Sequence, residues 1–362
     1  MTPPLPRRRS AQLLARVTIL CGLLVTSAGC GTGGSSGARP SGAASSPSCV
    51  GPSTAVSDGW VEPITDHAEP QLPTTVTDFT GEEVTVDDAD RILALDTYGT
   101  LATTVAALGL GDRLVGRDVS TGLPDLADLP VVTHNGHELN AEAILELDPS
   151  VVLTDYSIGP LEVQLQLKDS GIPVVILDSR RGREVVAEQI LEVAAVLGVP
   201  AEGARLAERV EAEIVEAEAE VATMVPVEPA DRLRMVFLYM RGTAGVYYWF
   251  GEGSGADDLI DALGGIDVAA EIEVAGARPI NAEGLVKAAP DLYLMMSNGL
   301  ASVGGVDGLL EVPGVADTVA GEHACVVDMS DHEILSYGPQ YPHTLRALAG
   351  AIYGRVDAAG GR

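Results

Sequence analysis

Two segments of this chain, LNAEAILELDPSVVL at 139–153 and INAEGLVKAAPDLYL at 280–294, share five of fifteen residues at an offset of 141. Each reads as a capped helix leading into a strand. Asn140 and Asn281 stand at the N-cap position, with Glu142 and Glu283 in the first turn, where the helix dipole favours a carboxylate. The apolar run closed by Asp96 likewise aligns with the run closed by Tyr239, 143 residues further on. Two blocks in the same order at nearly the same offset describe one αβ unit written twice. At 362 residues the chain also exceeds the usual size of a single core, so two similar lobes are expected.

Between the copies lies PAEGARLAERVEAEIVEAEAEVATMV, residues 200–225. Leu206, Val210, Ile214, Ala217, Val221 and Met224 recur at steps of three and four and so share one helical face. The opposite face is almost all glutamate. Gly198 stops the preceding helix, and Pro200 suits a first turn, where a missing N–H costs nothing. A helix of this length spans roughly 35 to 40 Å at 1.5 Å per residue, and it reads as a strut whose apolar face packs on both lobes.

Strands alternate with helices on both sides of the strut. Before it come a hairpin around Thr80-Gly81, strands at 91–95, 114–117, 151–154 and 174–177, and helices at 99–108, 141–147, 162–168 and 183–197. After it come strands at 235–240, 292–295 and 326–328 and helices at 256–263, 283–288 and 344–353. Such alternation predicts α/β lobes, each a parallel-type sheet flanked by helices.

The first 29 residues carry Arg7, Arg8, Arg9 and Arg16, then an apolar run too short to span a membrane, the pattern of an export signal. Ser27-Ala28-Gly29-Cys30 resembles a lipoprotein cleavage site, with Cys30 lipid-modified. Removing 1–29 leaves 18 basic against 52 acidic side chains, which disfavours nucleic acid as a partner. The Gly, Ser, Ala and Pro of 31–59 suit a flexible tether. Cys49 and Cys325 remain, and in an oxidising compartment the two can form a disulfide. The expected layout is therefore signal peptide 1–29, lipidated tether 30–73, N-terminal lobe 74–199, connecting helix 200–225 and C-terminal lobe 226–362.

TVTDFTGEEVTVDDADRILALD, LNAEAILELDPSVVLTD and INAEGLVKAAPDLYLM, in this order around a single linking helix, resemble the periplasmic-binding-protein family that serves ABC importers of iron complexes, haem and cobalamin. The likeness covers residues 74–353. It implies two lobes facing across a shallow cleft with little closure. It further implies a non-catalytic, membrane-anchored protein on the extracytoplasmic face that delivers a ligand to a permease and its ATPase. In that family one acidic residue from each lobe meets the permease, and Glu142 and Glu283 match those positions.

The repeat locates the cleft independently, because ligands of doubly wound sheets collect outside the carboxyl ends of strands. His137 lies three residues before Asn140 and Arg278 three before Asn281, so they occupy equivalent positions. Tyr239 ends its strand where Asp96 ends the first-lobe strand, and Arg241, two residues on, projects to the same side. A guanidinium beside a phenol favours the phenolate, an anionic ligand suited to ferric iron. His137 and Tyr239 thus form a candidate axial pair for a flat metallated ring, with His134 an alternative to His137. A histidine just before L-N-A-E together with Tyr-x-Arg resembles the actinobacterial haem-binding type. On that resemblance haem is the expected ligand, with Arg241 and Arg278 available to its propionates. Tyr247, Tyr248, Trp249 and Phe250, in a stretch the first lobe lacks, are candidates for a porphyrin wall or for core. Tyr98 and Tyr337 also fall in cleft-side loops.

Other classes fit less well. Gly251-x-Gly253-x-x-Ala256 matches a dinucleotide fingerprint but sits in the second lobe of an exported chain, and no serine has the surroundings of a nucleophile elbow. A ferric siderophore or cobalamin is the rival ligand, and a bare metal ion held by His134, His137 and nearby acids is the third.

Overall fold

A computed structural model of the chain describes residues 49–57 and 61–360, with side chains to residue 354. The export signal, Cys30 and the tether to residue 48 lie outside the described residues. Among the described residues, no helix is long and apolar enough to cross a membrane.

The strands in chain order are Ser53–Ala55 (β1), Thr74–Thr77 (β2), Glu83–Val86 (β3), Ile92–Leu95 (β4), Thr133–His134 (β5), Glu138–Leu139 (β6), Val151–Thr154 (β7) and Val174–Ile176 (β8). After the connecting helix come Arg234–Arg241 (β9), Val246–Phe250 (β10), Ile266–Asp267 (β11), Ala277–Pro279 (β12), Leu292–Met296 (β13) and Val326–Met329 (β14). The N-terminal lobe is built on the parallel sheet β4-β7-β8 and the C-terminal lobe on β1-β14-β13-β9-β10-β12. The duplication is visible in the register: Ile92 pairs with Val151 in one lobe as Met235 pairs with Leu292 in the other. Asn140 and Asn281 both act as N-caps, each side-chain oxygen accepting from the second and third following N–H groups.

The connecting helix runs Pro200–Met224. Leu206, Val210, Ile214, Ala217 and Val221 are buried as the periodicity requires, whereas Met224 is 44% exposed. At that end Val225, the residue after the helix, packs against the core in its place. One hydrophobic core includes this helix face, Ile92 and Ala94 of β4, and Met235 and Phe237 of β9. The two lobes therefore share an inner core, and each sheet's outer face has its own: Leu93 and Leu95 on one side, Val236 and Leu238 on the other. Strand alternation divides the residues between these cores.

Three expectations change. The stretch 114–117 is no strand; Leu114 and Arg117 make only single bridges, to Ile92 and Val131. The aromatic stretch is strand β10, antiparallel to β9 and β12, so the C-terminal sheet is parallel with an antiparallel edge. The first described part of the expected tether is also built into the C-terminal lobe. There β1 lies parallel to β14, and Cys49 is bonded to Cys325 with Cα atoms 5.6 Å apart. Composition suggested loose chain at 49–57, yet an edge strand needs only backbone groups and alternate small side chains.

Candidate functional site

At the end of β4 the chain turns on a buried carboxylate. Asp96 accepts from the N–H groups of Tyr98 (3.2 Å), Thr100 (3.3 Å) and Leu101 (3.0 Å), which sets the start of the helix Thr100–Val105. Asp118 accepts from the N–H groups of Asp96, Ser120 and Thr121, and Asp155, just past β7, from that of Ser157. A single cation joins this group: Arg181 Nη2 donates to Asp96 Oδ2 at 3.1 Å and to Asp155 Oδ2 at 2.9 Å. Burial, then the Asp96 carboxylate, pushes Asp118 up to about 7 and Asp155 up to about 6. The same guanidinium lies 4.7 Å from the centre of the Tyr98 ring.

His137 is the last residue of the three-residue turn between β5 and β6. Asn135 (φ 46°) and Gly136 (φ 91°) are both left-handed, which reverses the chain within this short loop. The turn sets His137 Nδ1 3.4 Å from Ser120 Oγ. Burial, and then the charge of Arg241, holds its pKa below the usual imidazole value, which leaves a neutral ring with a lone pair. His134 is exposed, 3.4 Å from Glu138, and does not line the cavity described below.

In the C-terminal lobe the inner face of β9 carries Phe237, Tyr239 and Arg241. Phe250 of β10 stacks between the first two, with ring centres 5.3 Å from Phe237 and 5.4 Å from Tyr239, and Arg241 covers the other face of Tyr239 at 4.5 Å. Tyr239 is thus held between an aromatic ring and a guanidinium. Arg241 is fixed in turn: Nη2 donates to Asp331 at 2.8 Å and Nη1 to the Met240 carbonyl at 2.9 Å. Asp331 accepts as well from the Asn298 N–H.

These two faces enclose a cavity of about 360 Å³. Tyr98, Ser120 and His137 line it from the N-terminal lobe, and Tyr239, Arg241 and Phe250 from the other. Of the expected residues, His137, Tyr239 and Arg241 are brought together and Arg278 is not. Arg278 is exposed on β12, opposite Trp249, because β12 is paired to the far edge of β10. Within the aromatic stretch only Phe250 lines the cavity: Trp249 is buried in the outer core and Tyr247 lines a separate cavity of about 470 Å³ on the other side of the hairpin. Tyr337 is buried, its hydroxyl donating to the Gly255 carbonyl.

Sequence reasoning missed His332 and Asp331, which line the cavity from the loop after β14. Their position past a parallel strand was the available signal. His332 Nδ1 donates across the lobes to the Ser120 carbonyl at 2.9 Å. Gly122 permits this, since a Cβ there would stand 2.5 Å from the His332 side chain. Elsewhere, Glu142 and Glu283 are exposed in the first turns of equivalent helices. In the glycine-rich loop, the N–H groups of Gly253 and Gly255 both donate to the Asp257 carboxylate, an anion already in place where a phosphate would sit. Among the described residues, no group of three or more His, Cys, Asp or Glu is arranged to hold a metal ion.

A family model described as periplasmic binding protein matches residues 97–332. The chain is 45% identical to the haem-binding protein HmuT, with a TM-score of 0.81 over 84% of this chain and 98% of that one. Solved variants of that protein replace a tyrosine, a histidine and an arginine by alanine, the tyrosine and arginine standing two positions apart. The periplasmic haem-binding protein RhuT from Roseiflexus sp. RS-1 is 35% identical, with a TM-score of 0.68 over 74% of this chain and 100% of that one. The periplasmic haem-binding protein BhuT, solved with two haems, is 30% identical, with a TM-score of 0.65 over 74% and 98%. Comparison with curated proteins returned no match. The matched region takes in strands of both sheets, the helix between them and all three cavity residues expected from the sequence, and the chain belongs to the periplasmic binding protein family.

Proposed function

We propose that this chain captures haem outside the cytoplasmic membrane and delivers it to the permease of an ABC transporter, powered by its ATPase, for iron uptake. The observation that carries the reading is that His137 and Tyr239 reach one cavity from opposite lobes. A neutral imidazole and a phenolate, formed when the phenol releases its proton to solvent on binding the metal, are both haem-iron ligands. Arg241, stacked on Tyr239 and anchored by Asp331, orients that phenol. The relatives named as haem-binding supply the ligand class, and one of them pairs a tyrosine with an arginine at the same spacing. Arg278, outside the cavity, is left out of the proposal.

Hemin titration followed by absorbance tests it: a saturable Soret band with a tyrosinate-to-iron charge-transfer band is expected. A spectrum equal to that of free hemin would reject haem and leave a ferric siderophore or cobalamin as the ligand. A bare metal ion has no cluster to hold it among the described residues.

Glu142 and Glu283 are proposed as the permease contacts, one on each lobe, and Cys30 as the lipid-modified residue that keeps the protein at the membrane. Reversing both charges, Glu142→Arg with Glu283→Arg, should abolish haem uptake by cells with hemin binding unchanged. Normal uptake would refute the docking role.

A further inference from the structure

Tyr98 is the one cavity residue that repeats, in the N-terminal lobe, the arrangement around Tyr239. Its ring carries a stacked arginine, Arg181, as Tyr239 carries Arg241, and each arginine is anchored by aspartate. The surroundings differ in charge. Arg241 bonds one carboxylate, whereas Arg181 bonds two, Asp96 and Asp155, with Asp118 close behind. Arg181 is only 5% exposed and Arg241 29%, so the N-terminal pair sits deeper and in a more negative field. The Tyr98 hydroxyl has no hydrogen-bond partner among the described residues, although the ring lines the cavity.

A hydroxyl that faces a ligand cavity without a partner is a donor waiting for an acceptor, because leaving it unmet in the complex would cost free energy. Burial, opposed by Arg181 and reinforced by Asp96 and Asp155, raises the pKa of this phenol. Protonated at neutral pH, it is able to donate a hydrogen bond.

We infer that Tyr98 is a ligand-binding residue, a neutral hydrogen-bond donor from the N-terminal lobe to a carboxylate of the bound porphyrin, held in place by Arg181. This rests on the haem reading above. It divides the two tyrosines of the cleft by role: Tyr239 binds the metal, and Tyr98 binds the edge of the ring.

Tyr98→Phe removes only the hydroxyl and keeps a ring for Arg181 to stack on. Wild type and variant are titrated with hemin and with hemin dimethyl ester, whose carboxylates are blocked. The variant should lose roughly tenfold or more in affinity for hemin, little for the diester, and keep the wild-type Soret and charge-transfer bands. Equal loss for both ligands, or no loss for either, overturns the inference, as does a changed charge-transfer band, which would put Tyr98 at the iron. If wild type itself binds neither compound, it is the haem reading that fails.

Discussion

In the N-terminal lobe, the arginine that stacks on a cleft tyrosine is shut away: Arg181 bridges two fully buried carboxylates that also organise the backbone of the loops at the strand ends. Its counterpart Arg241 is part-exposed at the end of β9, bonded to one aspartate, with Tyr239 pressed between it and Phe250. The same pair of residue types thus serves two ends. One guanidinium joins a buried acidic cluster at the strand ends; the other covers one face of a tyrosine that lines the cavity and is proposed to meet the ligand. The two arginines differ in how many carboxylates hold each of them, two for Arg181 and one for Arg241.

The largest effect expected from this contrast is on folding. Arg181→Ala leaves Asp96 and Asp155 buried without a cation and should destabilise the protein by about 3–5 kcal/mol in denaturant melts. Arg241→Ala should leave stability within about 1 kcal/mol of wild type, since its ion pair is partly solvated. Equal losses would erase the distinction between the lobes.

On ligand binding the order reverses. Tyr239→Phe should weaken hemin binding by at least about 100-fold and abolish the charge-transfer band, because even residues that merely orient a metal ligand are worth about 10- to 100-fold. His137→Ala should alter the spectrum while leaving the tyrosinate band. Arg241→Ala, which releases one face of the Tyr239 ring, should cost about tenfold in the same titration. A wild-type spectrum and affinity in both ligand variants would refute the axial pair.

The smallest effect is a pH dependence that belongs to the N-terminal cluster. Asp118 and Asp155 are pushed up to about 7 and about 6, so the folded protein holds their protons more tightly than the unfolded chain does. The stability this adds is complete below the ordinary aspartate value of 3.8 and is lost as pH rises through 6 and 7. The melting temperature should therefore fall by several degrees between pH 5 and pH 8. A flat profile over that range would mean the cluster does not take up protons on folding.

Much of this was legible in the residues. The repeat required two lobes, and both caps and the strand register obey it. Three of the four proposed ligand-contact residues reach the cavity. The failures share a cause. Arg278 was placed by its equivalence to His137, but the inserted strand β10 pairs with β12 and draws that segment to the edge of the sheet. β9 also runs on to Arg241 because β10 supplies partners for its last residues, where β4 stops at Leu95. Neither pairing leaves a mark in a single-strand pattern.

What the sequence by itself determined was the duplicated αβ unit, the helix that joins the copies and the chemistry the strand ends can offer, since these follow from local spacing and alternation. Which equivalent positions remain equivalent was decided only in three dimensions. Long-range pairing set it for Arg278. Arg181 and Arg241 are alike as residues, and what distinguishes them is how many carboxylates distant segments bring beside each.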